Sequence, residues 1–422
     1  MDILILTHGT RGDVQPFVAL GCALTEAGHS VRLGAPAASE TLVRSYGLQF
    51  VPIADGPNKL STDPIIREAF ETNYRGLRGK GLAFELARKY RPMMDEVLDD
   101  LARIARDGAD LLVYHVILPG QQLGEWLGIP ALPVCMQPFW APTSAFQNPM
   151  HALRIPTGLY RLSYRTSNLW YQILSGHTRR WRTTTLGLPA RRGFRDLLRG
   201  PDGRPVTLLQ AFSAHLLAPM PADYPSWVHT TGFWRLPAAP EWSPPRTVAD
   251  FLAADSPVVY VGFGSMAGVD PERTRRTIVE AVRLAGVRAV VATGWGGIGI
   301  GRSDDNLLFI KDVPHDWLFS RVSVVVHHGG SGTSGAALAA GRPQVVCPFF
   351  VDQPYFAQRI HALGAAPPPL PQRDLNPVTL ARAIETAVND SAMAVSAAEA
   401  GHLVRAEEGV DHALKIVEAA RI

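Results

Sequence analysis

The sequence predicts an α/β protein of two doubly wound halves, and three observations carry that prediction. Short β-branched and Leu runs alternate with helix-periodic stretches from the first residues; the alternation restarts after residue 250; and a Pro-dense segment, Leu236–Arg246 (LPAAPEWSPPR), lies between the two rounds. Strands alternating with helices build right-handed βαβ units on a mainly parallel sheet. The expected organisation is a first domain over 1–235, a semi-rigid Pro-rich linker over 236–250, a second domain over 251–400, and a C-terminal helix over 401–422 that packs back on the first domain.

Each element has its own signal. Asp2–Thr7 reads as a strand buried on both faces. Gly9–Gly12 reads as a loop. Val14–Ala27 carries Phe17, Val18, Leu20, Leu24 and Ala27 at helical spacing and is stopped by Gly28. Val31–Ala35 is the next strand, followed by a helix over Arg91–Arg106, a strand over Asp110–His115, a helix over Gln121–Leu127 and a strand over Ala131–Met136. From Pro138 to Pro189 the rhythm breaks into a stretch rich in aromatic and basic residues, among them Phe139, Trp140, Phe146, Tyr164, Trp170 and Trp181. It reads either as irregular helices and loops over a cleft or as packing helices with amphipathic aromatics. Beyond the linker, strands are expected at Pro257–Phe263, Val287–Thr293, Leu307–Lys311, Val322–His327 and Gln344–Pro348. Helices are expected at Pro271–Ala285, Thr333–Ala340 and Gln353–Leu363. In such sheets ligands sit at the carboxyl ends of the strands.

Composition narrows the function classes. Of 422 residues, 46% are hydrophobic and 19% charged, which describes an ordinary globular chain. The 41 basic residues are offset by 38 acidic ones, so nothing in the charge calls for nucleic acid. No apolar run approaches the ~18 residues of a membrane span. The opening MDILILTHGTRGD reads as a strand and not as a signal peptide. Cys22, Cys135 and Cys347 form no disulfide framework and no metal-type spacing, which suits a cytoplasmic protein. The preference for Arg over Lys suggests a GC-rich bacterial source.

The most informative segment is Val324–Gly341, VVVHHGGSGTSGAALAAG. A buried strand ends at His327, small residues turn the corner, and a helix of Ala and Leu follows. Glycines let the backbone approach a ligand, helix-terminal N–H groups point outward, and the dipole favours an anion. His328 adds a donor for a phosphate oxygen, and the Ser331 and Thr333 hydroxyls add more; His327 reads as the inward-packed member of the pair. Gly262, Gly264 and Gly268 imitate a dinucleotide fingerprint, but the next strand ends without the acidic residue such a site needs, and no P-loop is present. Asp352 and Gln353, in FFVDQP, suit the vicinal hydroxyls of a sugar, or else an N-cap. In the first half, His8, Arg11 and Asp13 cluster after strand one. Asp13 is either a cap or a carboxylate that accepts the proton of an acceptor hydroxyl; His115 stands ready to assist or substitute for it.

Four motifs then converge. GTRGDVQPFVALG at Gly9–Gly21, VPHDWLF at Val313–Phe319, HHGGSGT at His327–Thr333 and PFFVDQP at Pro348–Pro354 resemble those of the sterol 3-beta-glucosyltransferases, in order and spacing, from residue 1 to about 390. That group belongs to family 1 glycosyltransferases of GT-B fold, with two Rossmann-like domains facing each other across a cleft. It also includes the glycopeptide-antibiotic and macrolide enzymes. The resemblance implies an inverting, metal-independent transfer without a cofactor, the nucleotide sugar being a co-substrate. By motif position, Asp13 would be the base, and Ser265, His328, Gly330, Ser331, Gly332 and Thr333 would bind the diphosphate. Val313 and Trp295 would lie at the nucleobase, Asp352 and Gln353 at the sugar, and His8, Arg11, Phe139 and Trp140 at the acceptor. Plant relatives place a Glu where this chain has Ala336, which fits a dTDP-sugar as well as the favoured UDP-glucose. The region Lys59–Lys89 and the aromatic segment match nothing in the family and are expected to shape a pocket for a flat apolar acceptor. The implied partners are the UDP-sugar and that acceptor, with no nucleic acid and no membrane span, on a monomer or weak dimer. The rival readings are a nucleotide-sugar epimerase and a non-catalytic helper.

Overall fold

The computed structural model describes residues 1–62, 76–151, 154–167, 169, 178–190, 197–217, 219–253, 256–264, 270–294, 298–349 and 351–420. The chain divides into two compact units. The first includes Met1–Lys59, Phe84–Leu236 and Glu407–Ile422, and the second includes Pro237–Ala406.

In the first unit seven parallel strands form one sheet: β1 (Asp2–Leu6), β2 (Ser30–Pro36), β3 (Gln49–Ile53), β4 (Leu111–His115), β5 (Ala131–Cys135), β6 (Leu208–Gln210) and β7 (Val228–Thr230). Their order is β3-β2-β1-β4-β5-β6-β7. Alternation along β1 shows why the strand is apolar from Ile3 to Leu6. Ile3 and Ile5 enter one core with Phe17 and Leu20 of the helix Arg11–Glu26, while Leu4 and Leu6 enter the opposite core with Leu98 and Leu101. A sheet covered on both faces has no place for a polar side chain on its central strand.

In the second unit five parallel strands, β8 (Val258–Gly262), β9 (Arg288–Ala292), β10 (Leu307–Ile310), β11 (Val324–His327) and β12 (Gln344–Val346), run in the order β10-β9-β8-β11-β12. This repeats the first five positions of the other sheet. Both are doubly wound, and each reverses its strand order beside its first strand, between β1 and β4 and between β8 and β11. In this fold class that reversal opens the crevice that takes ligands, at the carboxyl ends of the two strands concerned.

Three expectations need correction. The helix expected from Val14 starts at Arg11, and the one expected from Thr333 starts at Ser331. The linker is shorter than 236–250: Leu236 still packs in the first unit's core, and a helix, Arg246–Leu252, begins straight after Pro245. The single helix expected over 401–422 is two. Ser391–Ala406 ends in the second unit, Glu408 turns the chain at a φ of 46°, and Gly409–Ala419 puts Ala413 and Val417 into the first unit's core. Gly409 has no room for a side chain there, since a Cβ would stand 2.7 Å from the Phe233 carbonyl.

Candidate functional site

The reversal point of the first sheet carries His8, Asp13 and His115. Asp13 is the third residue of its helix and closes a capping box: its Oδ2 accepts the Thr10 N–H at 2.8 Å and the Thr10 hydroxyl at 3.3 Å. The carboxylate lies over Gly9, whose φ is +135° and whose Cβ, if it had one, would come within 2.2 Å of Oδ2. Two residues that sequence reasoning missed hold this turn. The Thr7 hydroxyl donates to the Asp13 carbonyl at 2.7 Å, and Asn58 Nδ2 donates to the Gly9 carbonyl at 2.6 Å. Removal from water raises the Asp13 pKa; the Thr10 hydrogen bonds and the nearby His8 oppose that rise without cancelling it. Asp13 is thus both cap and half-buried carboxylate, and the two readings of the sequence are compatible.

His8 is buried and donates Nε2–H to the Ala54 carbonyl at 3.1 Å. Burial lowers its pKa, with Asp13 and Asp55 pulling the other way. His115 ends β4 with its ring edge-on to Phe17, centroids 6.0 Å apart. Neither ring nitrogen has a hydrogen-bond partner among the described residues, and burial and His8 hold its pKa down to about 3. So low a basicity, in a ring buried against Phe17, makes His115 a poor candidate for the accessory-base role expected of it. Arg11 directs Nε to Gln15 Oε1 at 3.2 Å along its own helix. Phe139, beyond the end of β5, is buried, and its carbonyl accepts the Ser167 hydroxyl at 3.0 Å; Trp140 is half-buried.

The reversal point of the second sheet carries the anion-type turn. His327 is fully buried and structural: Nε2–H donates to Gln344 Oε1 at 2.8 Å, and Nδ1 accepts the Gly329 N–H at 3.0 Å. Its neighbour has no such ties. His328 Nδ1 is buried without a partner among the described residues, while Nε2 lies so close to Gly330 that a Cβ there would be 2.5 Å away. Burial, with His327 and His315 nearby, holds the His328 pKa down to about 3, so the ring is a neutral donor and not a cation. Gly330 caps the helix Ser331–Ala339 with no side-chain hydrogen bond, so the first-turn N–H groups of Ser331, Gly332 and Thr333 have no side-chain cap. Unsatisfied N–H groups at a helix start suit an anion.

His315 and Tyr260 are further residues that the sequence did not single out. His315 stacks on Phe319 at 4.3 Å and lies 5.8 Å from the Tyr260 ring, centroid to centroid. Val313 is buried in the core beneath them. Trp317 packs on Trp242 at 5.4 Å, supporting that loop. Gln353 is buried and uses Oε1 to accept the Phe349 N–H at 2.8 Å, so this atom steadies its own loop and is not offered to a sugar. Asp352 follows Val351, a β-branched residue held at a φ of 58°. Backbone strain of that kind persists only where the surroundings impose it. Ser265 and Trp295 lie outside the described residues, as do Trp170 and part of the Lys59–Lys89 region.

Comparison with known proteins follows the same division. Residues 3–93 match the glycosyltransferase family 28 N-terminal domain, and residues 295–409 match the erythromycin biosynthesis protein CIII-like C-terminal domain. Over 435 residues the chain is 33% identical to the sterol 3-beta-glucosyltransferase of Emericella nidulans, which covers 99% of this chain and 30% of that protein. The sterol 3-beta-glucosyltransferase of Neurospora crassa is 34% identical over 441 residues, with coverage of 99% and 27%. The chain therefore spans less than a third of the length of these curated relatives. Among solved structures, the glycotransferase of kitacinnamycin has a TM-score of 0.69 at 20% identity, covering 100% of this chain and 99% of that one. The calicheamicin glycosyltransferase has a TM-score of 0.68 at 17% identity, covering 100% and 98%. Those structures share the fold, and the fungal alignments extend through both sheets. The chain thus resembles glycosyltransferases through both halves and has the two-domain GT-B fold of those solved structures.

Proposed function

We propose that this protein is an inverting glycosyltransferase that moves glucose from UDP-glucose to a hydroxyl group of a lipophilic acceptor of the sterol, terpenoid, polyketide or flavonoid kind. The observation that carries the reading is His328, whose buried Nδ1 has no hydrogen-bond partner among the described residues, beside a helix start without a side-chain cap at the reversal point of its sheet. The sterol glucosyltransferase relatives support the donor and the acceptor class.

The chemistry assigned to these residues is a single displacement. Asp13 accepts the proton of the acceptor hydroxyl. The freed oxygen bonds to the anomeric carbon as the bond from that carbon to the diphosphate oxygen breaks, and UDP leaves from the opposite side. Negative charge grows on the diphosphate, where the N–H groups of Ser331, Gly332 and Thr333 and the neutral His328 ring meet it. A raised Asp13 pKa makes this carboxylate a better proton acceptor than a free one. Ala336 offers no carboxylate to ribose hydroxyls, so a dTDP-sugar is the second donor to try.

The test incubates the protein with UDP-glucose or dTDP-glucose and a panel of sterols and polyphenols, read by mass spectrometry, with a donor-only arm. A glucosylated acceptor formed with UDP-glucose supports the reading. An epimerised sugar in the donor-only arm, or no transfer across the panel, overturns it.

A further inference from the structure

The segment that breaks the α/β rhythm has a charge pattern unlike the rest of the chain. Residues 126–195 contain nine arginines and neither an aspartate nor a glutamate, whereas the whole chain is only +3, so the remainder is net acidic. Within it, the helical turns Thr157–Leu159 and Tyr160–Ser163 and their continuation to Ser167 are packed inside out. Ser163, Tyr164 and Ser167 face inward, while Leu159, Leu162 and Leu169 are 47%, 50% and 53% exposed. Leucines normally go inside and serines outside, so a row of exposed leucines over buried serines needs a reason.

The inward face is well tied. The Asn148 N–H donates to the Ser163 hydroxyl at 2.8 Å, and Asp223 gathers the Ser144 N–H at 2.8 Å and Arg161 at 3.1 Å. The outward leucines are therefore presented by a fixed frame. Arg161 and Arg165 occupy the arc beside them, and Arg154 precedes them, all exposed. Apolar side chains flanked by arginines on one face of a surface helix match the boundary between lipid headgroups and acyl chains, with leucines dipping in and guanidinium groups on phosphates. No helix among the described residues is long and apolar enough to cross a membrane, so the contact is with the surface.

We infer that Leu159, Leu162 and Leu169, with Arg154 and Arg165, dock the protein on an anionic phospholipid bilayer. This goes beyond the proposed reaction and does not depend on it, because docking is measured without donor or acceptor.

The experiment is flotation with vesicles of phosphatidylcholine alone or mixed with phosphatidylglycerol. The protein is expected to float with the anionic vesicles and to be released by salt. The triple variant Leu159→Ser, Leu162→Ser, Leu169→Ser should lose about tenfold or more in partitioning, and Arg154→Gln with Arg165→Gln should lose about tenfold. In the variant Leu162→Cys an environment-sensitive dye should brighten on adding anionic vesicles; burial pushes the half-buried Cys22 thiol up to about 11, and Cys135 and Cys347 are buried, which favours labelling at position 162. Failure of the wild type to float, or equal flotation of the triple-leucine variant, overturns the inference. So does a wild-type dimer in sedimentation that the triple variant dissolves, because a second copy would then cover the face.

Discussion

The proposed reaction gives Asp13 two roles on one side chain, and a pair of substitutions separates them. As a cap it accepts two hydrogen bonds from Thr10, at 2.8 and 3.3 Å. Asp13→Ala removes the Oδ2 acceptor of both bonds and should destabilise the first unit by about 0.5–2 kcal/mol, a fall in Tm of a few degrees. Asp13→Asn keeps an oxygen where the Thr10 N–H needs one and should melt within about 0.5 kcal/mol of the wild type. As a base the carboxylate has no substitute: Asn cannot take the proton, and His115 is made a weak base by burial and is turned onto Phe17. General-base catalysis contributes roughly 10²–10⁴-fold, so both variants should lose kcat on that scale despite their different stabilities. The assay is UDP release at saturating donor and acceptor, beside thermal melts and calorimetric UDP binding, which should not change. If Asp13→Asn turned over like the wild type, and Asp13→Ala lost only what its melting explains, Asp13 would be a cap and nothing more.

Other expectations follow from the same geometry. His328→Ala should weaken UDP binding about tenfold to a hundredfold, the worth of one hydrogen bond to a charged group, with little change in Tm. His327→Ala should do the reverse, melting earlier because the Gly329 N–H and Gln344 lose buried partners. Thr10→Val removes a donor that lowers the Asp13 pKa, so the acid limb of kcat/KM, where Asp13 gains its proton, should move to higher pH. Burial raises the Glu407 pKa, and its Oε2 has no partner among the described residues. A carboxyl whose folded pKa is raised contributes stability while protonated and loses it as pH rises through that pKa. Melts of the wild type should therefore lose stability as pH rises above the ordinary carboxylate range, and Glu407→Gln should flatten that loss.

The sheets were legible because their central strands are covered on both faces and run apolar, as Ile3–Leu6, Val258–Val261 and Val324–Val326 do. β3, β6 and β7 were not. β3 carries Pro52, and the other two are three residues long, too short for any periodicity to show. Both helix starts were misplaced for a local reason. Thr10 and Asp13 have the spacing of a capping box, which sets Asp13 inside the helix, but Asp alone also reads as the cap ahead of it. The helix Ser331–Ala339 is capped by a glycine and has another at its second position, so it lacks the usual start signal. Of the site, His328 and Asp13 could be found from sequence because they sit in turns after strands. His315 and Tyr260 could not: one lies on a short helix, the other inside β8, and only the fold brings them together.

In the proposed reaction the two helix starts also explain which half takes the anion. Thr10-Arg11-Gly12-Asp13 and Gly330-Ser331-Gly332-Thr333 occupy the same four positions, cap to third residue, after strands at the reversal points of sheets of the same order. In the first, a carboxylate occupies the helix start, where its charge repels a phosphate. In the second, no side chain caps the turn and His328 stands beside it. The third position therefore decides, and Thr333→Asp should convert the second start into the first. A carboxylate there is favourable to the helix by about 0.3–1 kcal/mol, so the fold should survive. UDP affinity should fall by more than about tenfold, since like charges meet where donors did; Thr333→Asn, uncharged and similar in size, should fall less. Calorimetry at low and high salt separates the two effects, because repulsion by an exposed carboxylate weakens with screening and a lost hydrogen bond does not. Equal UDP affinity in Thr333→Asp and the wild type would mean that the diphosphate does not sit on this helix.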